Sequence, residues 1–287
     1  MAGVEGRVAV VTGAGGGLGR QHALLLAERG AKVVVNDLGG ARDGTGASSA
    51  AADKVAKEIT DAGGEATASY DNVATHGGGA AIVRAAIDVF GKIDIVVNNA
   101  GILRDVTFAK MTDEQWDAVL KVHLYGTYSV TSAAWPHLRE QAYGRVIVTT
   151  STSGLYGNFG QSNYGTAKLG VVGLINTLAL EGSRYNITAN AIAPVAATRM
   201  TEDVLPPETL AALDPAFASP AVVYLASEEC TATAEVILAG GGRYARVRLM
   251  QAKGAHFDEV PTVEDLAARW SQIMDLEGAE PGHNPVR

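Results

Sequence analysis

The sequence predicts an α/β fold, a doubly wound parallel sheet with helices on both faces, and three observations predict it. Six short β-branched runs recur at regular distances along the chain. Runs such as VVVND and IDIVVNN are apolar almost without interruption, as in a parallel-sheet strand buried on both faces. A longer Ala- and Leu-rich stretch separates each run from the next, and strand-helix alternation of this kind builds a parallel sheet.

The first strand is expected at 7–12, where it enters the turn Thr12-Gly13-Ala14-Gly15-Gly16-Gly17-Leu18-Gly19, and a helix follows at 18–29. The second strand, 32–37, closes on Asp37; the Gly-rich stretch 38–46 is a loop, because a periodic helical segment resumes at 48–62. Strands at 65–70, 93–98, 145–150 and 187–193 alternate with helices at 79–90, 113–135 and 163–184. Beyond Gly242 the pattern is less regular. A strand is expected at 246–250, then a helix in which Thr262 and Asp265 are spaced as an N-cap and its N3 acid. No repeat or linker interrupts the chain, so residues 1–287 are expected to form one domain, a core of 1–242 with a C-terminal extension at 243–287.

At 287 residues and 47% hydrophobic content the chain can bury a full core. Lys and Arg number 23 against 31 Asp and Glu, a net charge of −8; a nucleic-acid partner would usually leave a basic footprint, so none is expected. The one cysteine, Cys230, cannot form an intrachain disulfide and fits a reducing compartment. No segment approaches the roughly 20 apolar residues of a membrane helix, and MAGVEGRVAVV has no signal-type apolar region behind a basic start. The expectation is a cytoplasmic protein without a membrane partner.

Two constellations carry chemistry. In the first, Gly13, Gly17, Leu18 and Gly19 occupy a strand-to-helix turn, where glycines let backbone approach a pyrophosphate at the helix N-terminus. Asp37, 18 residues beyond Gly19, can accept both adenosine ribose hydroxyls and repel a 2′-phosphate. No Arg or Lys adjoins Asp37, so NAD is favoured over NADP. The bland alternatives are a simple tight turn, and an Asp37 that only caps the 38–46 loop.

In the second, Tyr164 and Lys168 of YGTAK stand four apart on a helix, on one face. A tyrosine titrates near 10, and a neighbouring ammonium, with the positive nicotinamide ring, favours phenolate and lowers that pKa, so Tyr164 could take a hydroxyl proton as hydride leaves the substrate. Ser151, thirteen residues upstream at the end of the fifth strand, could hydrogen-bond the same oxygen. A Tyr-xxx-Lys pair by itself is more often ordinary helix surface. Its order after the glycine turn and a strand-end serine is what singles it out.

In that order the motifs resemble the short-chain dehydrogenase/reductase family: TGAGGGLG its TGxxxGxG, Asn98-Asn99-Ala100-Gly101 its NNAG, and Ser151, Tyr164 and Lys168 its catalytic set. The resemblance implies a Rossmann-type fold and a nicotinamide cofactor. It implies that Asp71 and Asn72 flank the adenine, that Asn99, Ala100 and Gly101 line the cofactor, and that Pro194, Val195, Ala197 and Thr198 line the nicotinamide. VVVNDLGG, NNAGILRD, YGNFGQSNYGTAKLG, IAPVAATRM and TVEDLAARWSQI further resemble the dehydrogenase part of peroxisomal multifunctional β-oxidation enzymes and their stand-alone bacterial relatives. This similarity implies oxidation of a (3R)-3-hydroxyacyl-CoA with NAD, an acyl-thioester substrate and a homodimer or homotetramer. It also implies that the stretch 199–213, interrupted by Pro206-Pro207, covers the substrate. The alternatives are a 17β-hydroxysteroid or other secondary-alcohol dehydrogenase, a 3-oxoacyl-carrier-protein reductase, and, from another class, a dinucleotide-binding scaffold without turnover. The chain ends in Pro285-Val286-Arg287 rather than an SKL-type peroxisomal address. One position departs from the common family pattern: His123 of KVHLYG stands where many members place a catalytic Asn. It is either part of a proton relay or a core histidine bonded to backbone. The other histidines lack metal-ligand spacing, so no metal site is expected.

Overall fold

The computed structural model describes residues 3–196 and 213–284. The chain divides into two compact units, Met1–Ala245 and Arg246–Arg287. The first is built on an eight-stranded sheet whose strands, in chain order, are β1 (Val8–Thr12), β2 (Lys32–Asn36), β3 (Ala66–Ser69), β4 (Ile95–Asn98), β5 (Gly144–Thr149), β6 (Ile187–Pro194), β7 (Val236–Gly240) and β8 (Arg243–Val247). Their spatial order is β3-β2-β1-β4-β5-β6-β7-β8, and every pairing from β3 across to β7 is parallel. Strand order reverses at β1, which lies between β2 and β4. In open α/β sheets a reversal of this kind opens a crevice at the strands' carboxyl ends, where ligands bind.

Both faces are covered, as the apolar strands predict. On one face Ala9 and Val11 of β1, Val33 and Val35 of β2 and Ile95 and Val97 of β4 join Ala23, Leu26, Val55, Ile59, Val222 and Leu225 in one core cluster. The helices supplying it are α1 (Gly17–Glu28), α2 (Ala50–Asp61) and α8 (Ser219–Ala226). The intervening residues Val8, Val10, Val34 and Val96 are equally buried and point to the opposite face. Helices α3 (His76–Phe90), α5 (Gly126–Glu140) and α7 (Ser162–Gly182) pack there.

Several elements differ from the sequence expectation. α3 begins three residues earlier than expected because the Thr75 hydroxyl accepts from the Gly78 N–H and caps it. The single helix expected at 113–135 is α4 (Asp113–Leu120), a π-helical turn (Lys121–Tyr125), and α5, which runs on past Pro136. A π-turn inserts one residue into the helix and re-aims the side chains on it; here it carries His123. The short α6 (Thr152–Tyr156), α8 and β7 were not anticipated, being too brief for periodicity to reveal. Gly241 and Gly242, both with positive φ, form the two-residue turn from β7 into β8, so the edge strand starts earlier than the 246–250 expected.

In the second unit, β9 (Met250–Gln251) pairs antiparallel with β10 (Glu280–Pro281). α9 (Val263–Ala268) starts on the anticipated capping box, Thr262 with Asp265. α10 (Trp270–Met274) follows, and the Arg269 guanidinium lies 4.9 Å over the Phe257 ring. Among the described residues no helix is long and apolar enough to cross a membrane, and no cluster of three or more His, Cys, Asp or Glu could hold a metal ion.

Candidate active site

The carboxyl ends of β1, β4 and β5 are tied together by the motifs that the sequence singled out. Thr12, buried at the end of β1, accepts through Oγ1 from the N–H groups of Asn99 (3.0 Å) and Ala100 (3.1 Å). The Asn99 carboxamide donates back to the carbonyls of Thr12 (3.1 Å) and Gly13 (3.2 Å), and its oxygen accepts from Thr149 of β5 at 3.4 Å. This contact leaves no room for side chains. A Cβ on Gly13, where φ is +64°, would lie 2.7 Å from Ala100 Cα, and one on Gly19 would lie 2.2 Å from the Gly13 carbonyl oxygen.

Helix α1 then starts at Gly17 behind Gly16, with no side chain capping it, so its first N–H groups are left as donors for an anion. Space above Gly16 is open, since a Cβ there would meet nothing within 4 Å. Leu18 lies in this first turn. Asp37 leaves β2 beside it and accepts from the Gly15 N–H at 2.8 Å and the Gly39 N–H at 2.7 Å. The carboxylate therefore does cap the 38–46 loop. It also keeps lone pairs for a further donor, because among the described residues each oxygen is engaged once. At the end of β3, Asp71 and Asn72 are gathered beside β2: Asn36 donates to the Asp71 carbonyl at 3.0 Å, and Ser69 to the Asp71 carboxylate at 3.1 Å. Free donors at a helix start, open space, and a carboxylate on the neighbouring strand fit a dinucleotide. Pro194 ends β6, and the Val195 N–H bonds the Ala239 carbonyl at 2.9 Å. Ala197, Thr198 and residues 199–212 lie outside the described residues.

Ser151 follows β5 and caps α6, accepting from the Ser153 N–H at 3.1 Å. Tyr164 and Lys168 occupy the first two turns of α7 and share a face, with Nζ 5.6 Å from the tyrosine ring centroid. Lys168 is buried. Its Nζ donates to the Thr149 carbonyl at 2.6 Å, and the Thr150 hydroxyl donates to the Lys168 carbonyl at 2.6 Å. Burial brings the Lys168 ammonium down to about 7, so it titrates near neutrality. Tyr164 is partly accessible, yet burial pushes its hydroxyl up to about 12, opposed by Ser151 and supported by Asp105. The expected lowering of the phenol's pKa involves the positive nicotinamide ring as well as Lys168; in the protein by itself burial sets the direction, and Ser151 acts against it.

His123 is buried in the π-turn with its ring edge-on to Tyr164, centroids 5.1 Å apart. Nε2 lies 2.8 Å from the Ile102 carbonyl oxygen and 3.1 Å from the Ile102 nitrogen, while Nδ1 is buried without a partner among the described residues. Burial, and secondarily the Lys168 charge, hold its pKa well below the usual imidazole value, so the ring is neutral. Gly101 makes room for it, since a Cβ there would lie 2.4 Å from His123 Cε1. The sequence reading missed Thr12 and Thr149. Each is a strand-end threonine adjoining a motif, and adjacency was the only signal available.

Comparison with known proteins identifies a family and relatives. The profile of the family described as short chain dehydrogenase matches residues 7–208. The chain is 66% identical over 280 residues to a short-chain type dehydrogenase/reductase of Mycobacterium tuberculosis, covering 98% of each. It is 42% identical over 209 residues to the hydroxyacyl-CoA dehydrogenase ChsB1 of the same organism, covering 70% of this chain and 64% of that one. The full-length peroxisomal multifunctional enzyme type 2 of Drosophila melanogaster superposes with a TM-score of 0.83 at 41% identity, over 99% of this chain and 48% of that one. The chain thus spans about half the length of that relative. A 7α-hydroxysteroid dehydrogenase solved with NADH and 7-oxo glycochenodeoxycholic acid superposes with a TM-score of 0.75 at 26% identity, over 84% of this chain and 95% of that one.

Proposed function

The chain belongs to the short-chain dehydrogenases, and from that premise we propose that it oxidises a (3R)-3-hydroxyacyl-CoA to the 3-oxoacyl-CoA, with NAD as hydride acceptor. That it is an oxidoreductase follows from the family and its similarity to named dehydrogenases. The thioester substrate is the finer reading. Its support is similarity to a hydroxyacyl-CoA dehydrogenase and to the peroxisomal multifunctional enzymes.

The observation that carries the chemistry is that Ser151 follows β5 while Tyr164 and Lys168 share one face of α7, with Nζ 5.6 Å from the tyrosine ring centroid. When bound, the nicotinamide supplies the acceptor for the hydride of the carbinol carbon. The remaining work falls to this chain. Ser151 and Tyr164 would hold the substrate hydroxyl between them, and Tyr164 would remove its proton. Lys168, fixed by the Thr149 carbonyl, would hold its amino group beside the phenol ring, 5.6 Å from its centroid. General acid–base assistance of this kind is typically worth about 10²–10⁴-fold. Asp37 supports NAD over NADP through the charge that it presents beside the glycine turn.

A second reading, oxidation of a steroid secondary alcohol, draws on the 7α-hydroxysteroid dehydrogenase likeness. Initial rates with NAD and NADP across (3R)- and (3S)-3-hydroxyacyl-CoAs, hydroxysteroids and a 3-oxoacyl-carrier protein separate these readings. The proposal expects NAD-dependent turnover of (3R)-3-hydroxyacyl-CoAs above all others. Turnover of steroids with none of any 3-hydroxyacyl-CoA would sink it.

A further inference from the structure

We propose that Asn163 is a positioning residue for Tyr164, its carboxamide setting the first turn of the catalytic helix against the two segments that frame the reaction site. This rests on the reading of Tyr164 as the proton-transfer group. Asn163 is fully buried. Its Nδ2 donates to two carbonyls far from it in sequence, Arg104 and Gln115, each at 3.2 Å, and its Oδ1 accepts from the Tyr164 N–H at 2.7 Å.

Each bond has a consequence. The N–H groups in the first turn of a helix have no partner within the helix, and Gln161, the N-cap of α7, makes no side-chain bond to them. Asn163 satisfies the one belonging to the reactive tyrosine. Arg104 directly continues the stretch Asn99–Leu103, which Thr12 holds at one end and His123 holds at Ile102. Gln115 belongs to α4, which leads into the π-turn carrying His123. One side chain therefore relates the backbone of Tyr164 to the cofactor-side loop and to the helix behind the site. A buried carboxamide is costly unless its bonds are made, and all three of these are.

Misplacement of a reacting group by about 1 Å can cost about 10²-fold in rate. Asn163→Ala, checked for native circular dichroism, is therefore expected to bind NADH within about twofold of wild type while kcat falls roughly 10- to 100-fold. KM should change less than kcat. The primary deuterium isotope effect should rise, because bond cleavage at the carbinol carbon becomes more rate-limiting. The substrate for this measurement is the (3R)-3-hydroxyacyl-CoA that wild type oxidises fastest, deuterated at C3. Asn163→Asp keeps the acceptor for the Tyr164 N–H but turns a carboxylate toward two carbonyl oxygens, and is expected to be no better. If the alanine variant fails to fold, Asn163→Ser carries the same measurements.

Wild-type kcat and isotope effect in a folded variant would overturn the proposal. So would a loss of NADH affinity in step with kcat, since the defect would then lie in the fold at large. An inactive Tyr164→Phe beside a fully active Asn163→Ala removes only this inference. An active Tyr164→Phe removes the mechanism on which it rests.

Discussion

Asp37→Asn tests cofactor choice with little change in shape. In the protein the carboxylate accepts two backbone N–H groups at 2.8 and 2.7 Å, and in the proposed complex it also accepts ribose hydroxyls. A hydrogen bond to a charged group is worth about 1.5–3 kcal/mol net, against about 0.5–1.5 for a neutral one, so each bond weakens by about 1 kcal/mol. Two ribose hydroxyls then amount to about 2 kcal/mol, or roughly 30-fold weaker NADH. The NADPH side has the opposite sign. Two like charges about 5 Å apart repel by about 3 kcal/mol at an effective dielectric of 20, and solvent on the open side of the loop screens that to about 1–2 kcal/mol. Removing the charge relieves it, so NADPH should bind about tenfold more tightly and the preference should collapse by more than 100-fold. Fluorescence titration of wild type and variant with both reduced cofactors reads this directly. A wild type that already prefers NADPH, or a variant whose ratio stays within twofold of wild type, would refute the reasoning.

Three further outcomes are expected. Tyr164→Phe keeps the ring against His123 and removes the proton carrier, so turnover should drop about 10²–10⁴-fold with NADH affinity retained; near-wild-type turnover in the folded variant would exclude the tyrosine from the mechanism. His22, fully buried on α1 and bonded to Ser219 at 2.8 Å, is held at about 3 by burial, below its usual 6.5. Above the ordinary value both folded and unfolded forms are neutral, so nothing is contributed. As pH falls below it only the unfolded chain takes the proton, and stability is lost progressively until the folded value is reached. At about pH 5 that loss is about 2 kcal/mol relative to pH 7, and His22→Gln should abolish it; urea midpoints at both pH values with equal slopes for the two proteins would contradict this. Asp94, buried at the start of β4, accepts from the Val8 N–H at 2.8 Å and pairs with Arg7 at 3.1 Å and Lys92 at 3.0 Å. Asp94→Ala removes the acceptor of the buried Val8 N–H and the partner of Lys92, while Arg7 keeps Glu228, all far from the reaction site. It should lower unfolding free energy by about 2–4 kcal/mol, discounted for the exposure of the two cations, without changing kcat per folded molecule. A loss under about 1 kcal/mol would show that the ion pairs contribute little.

Much of this protein was determined by the sequence alone, because the determining signals are local. Apolar β-branched runs separated by helical stretches require a parallel sheet buried on both faces, and β1 to β6 lie within a residue or two of where those runs stand. The glycine turn, Asp37 and the Tyr164–Lys168 pair were legible because each requirement acts over a few residues: a tight backbone approach, a carboxylate at a strand end, a four-residue helical spacing. What only the tertiary structure decided involves partners distant along the chain. The buried imidazole of His123 is bonded to Ile102 and edge-on to Tyr164 because a π-turn re-aims it, and no periodicity announces a π-turn. Asn163 reads as one more polar residue beside a motif until Arg104 and Gln115 are brought to its carboxamide. The tyrosine's pKa followed the same rule. Spacing identified the cation nearest to Tyr164, but the net shift depends on how much protein surrounds the phenol, and that is settled only when β4, β5, α4 and α7 come together.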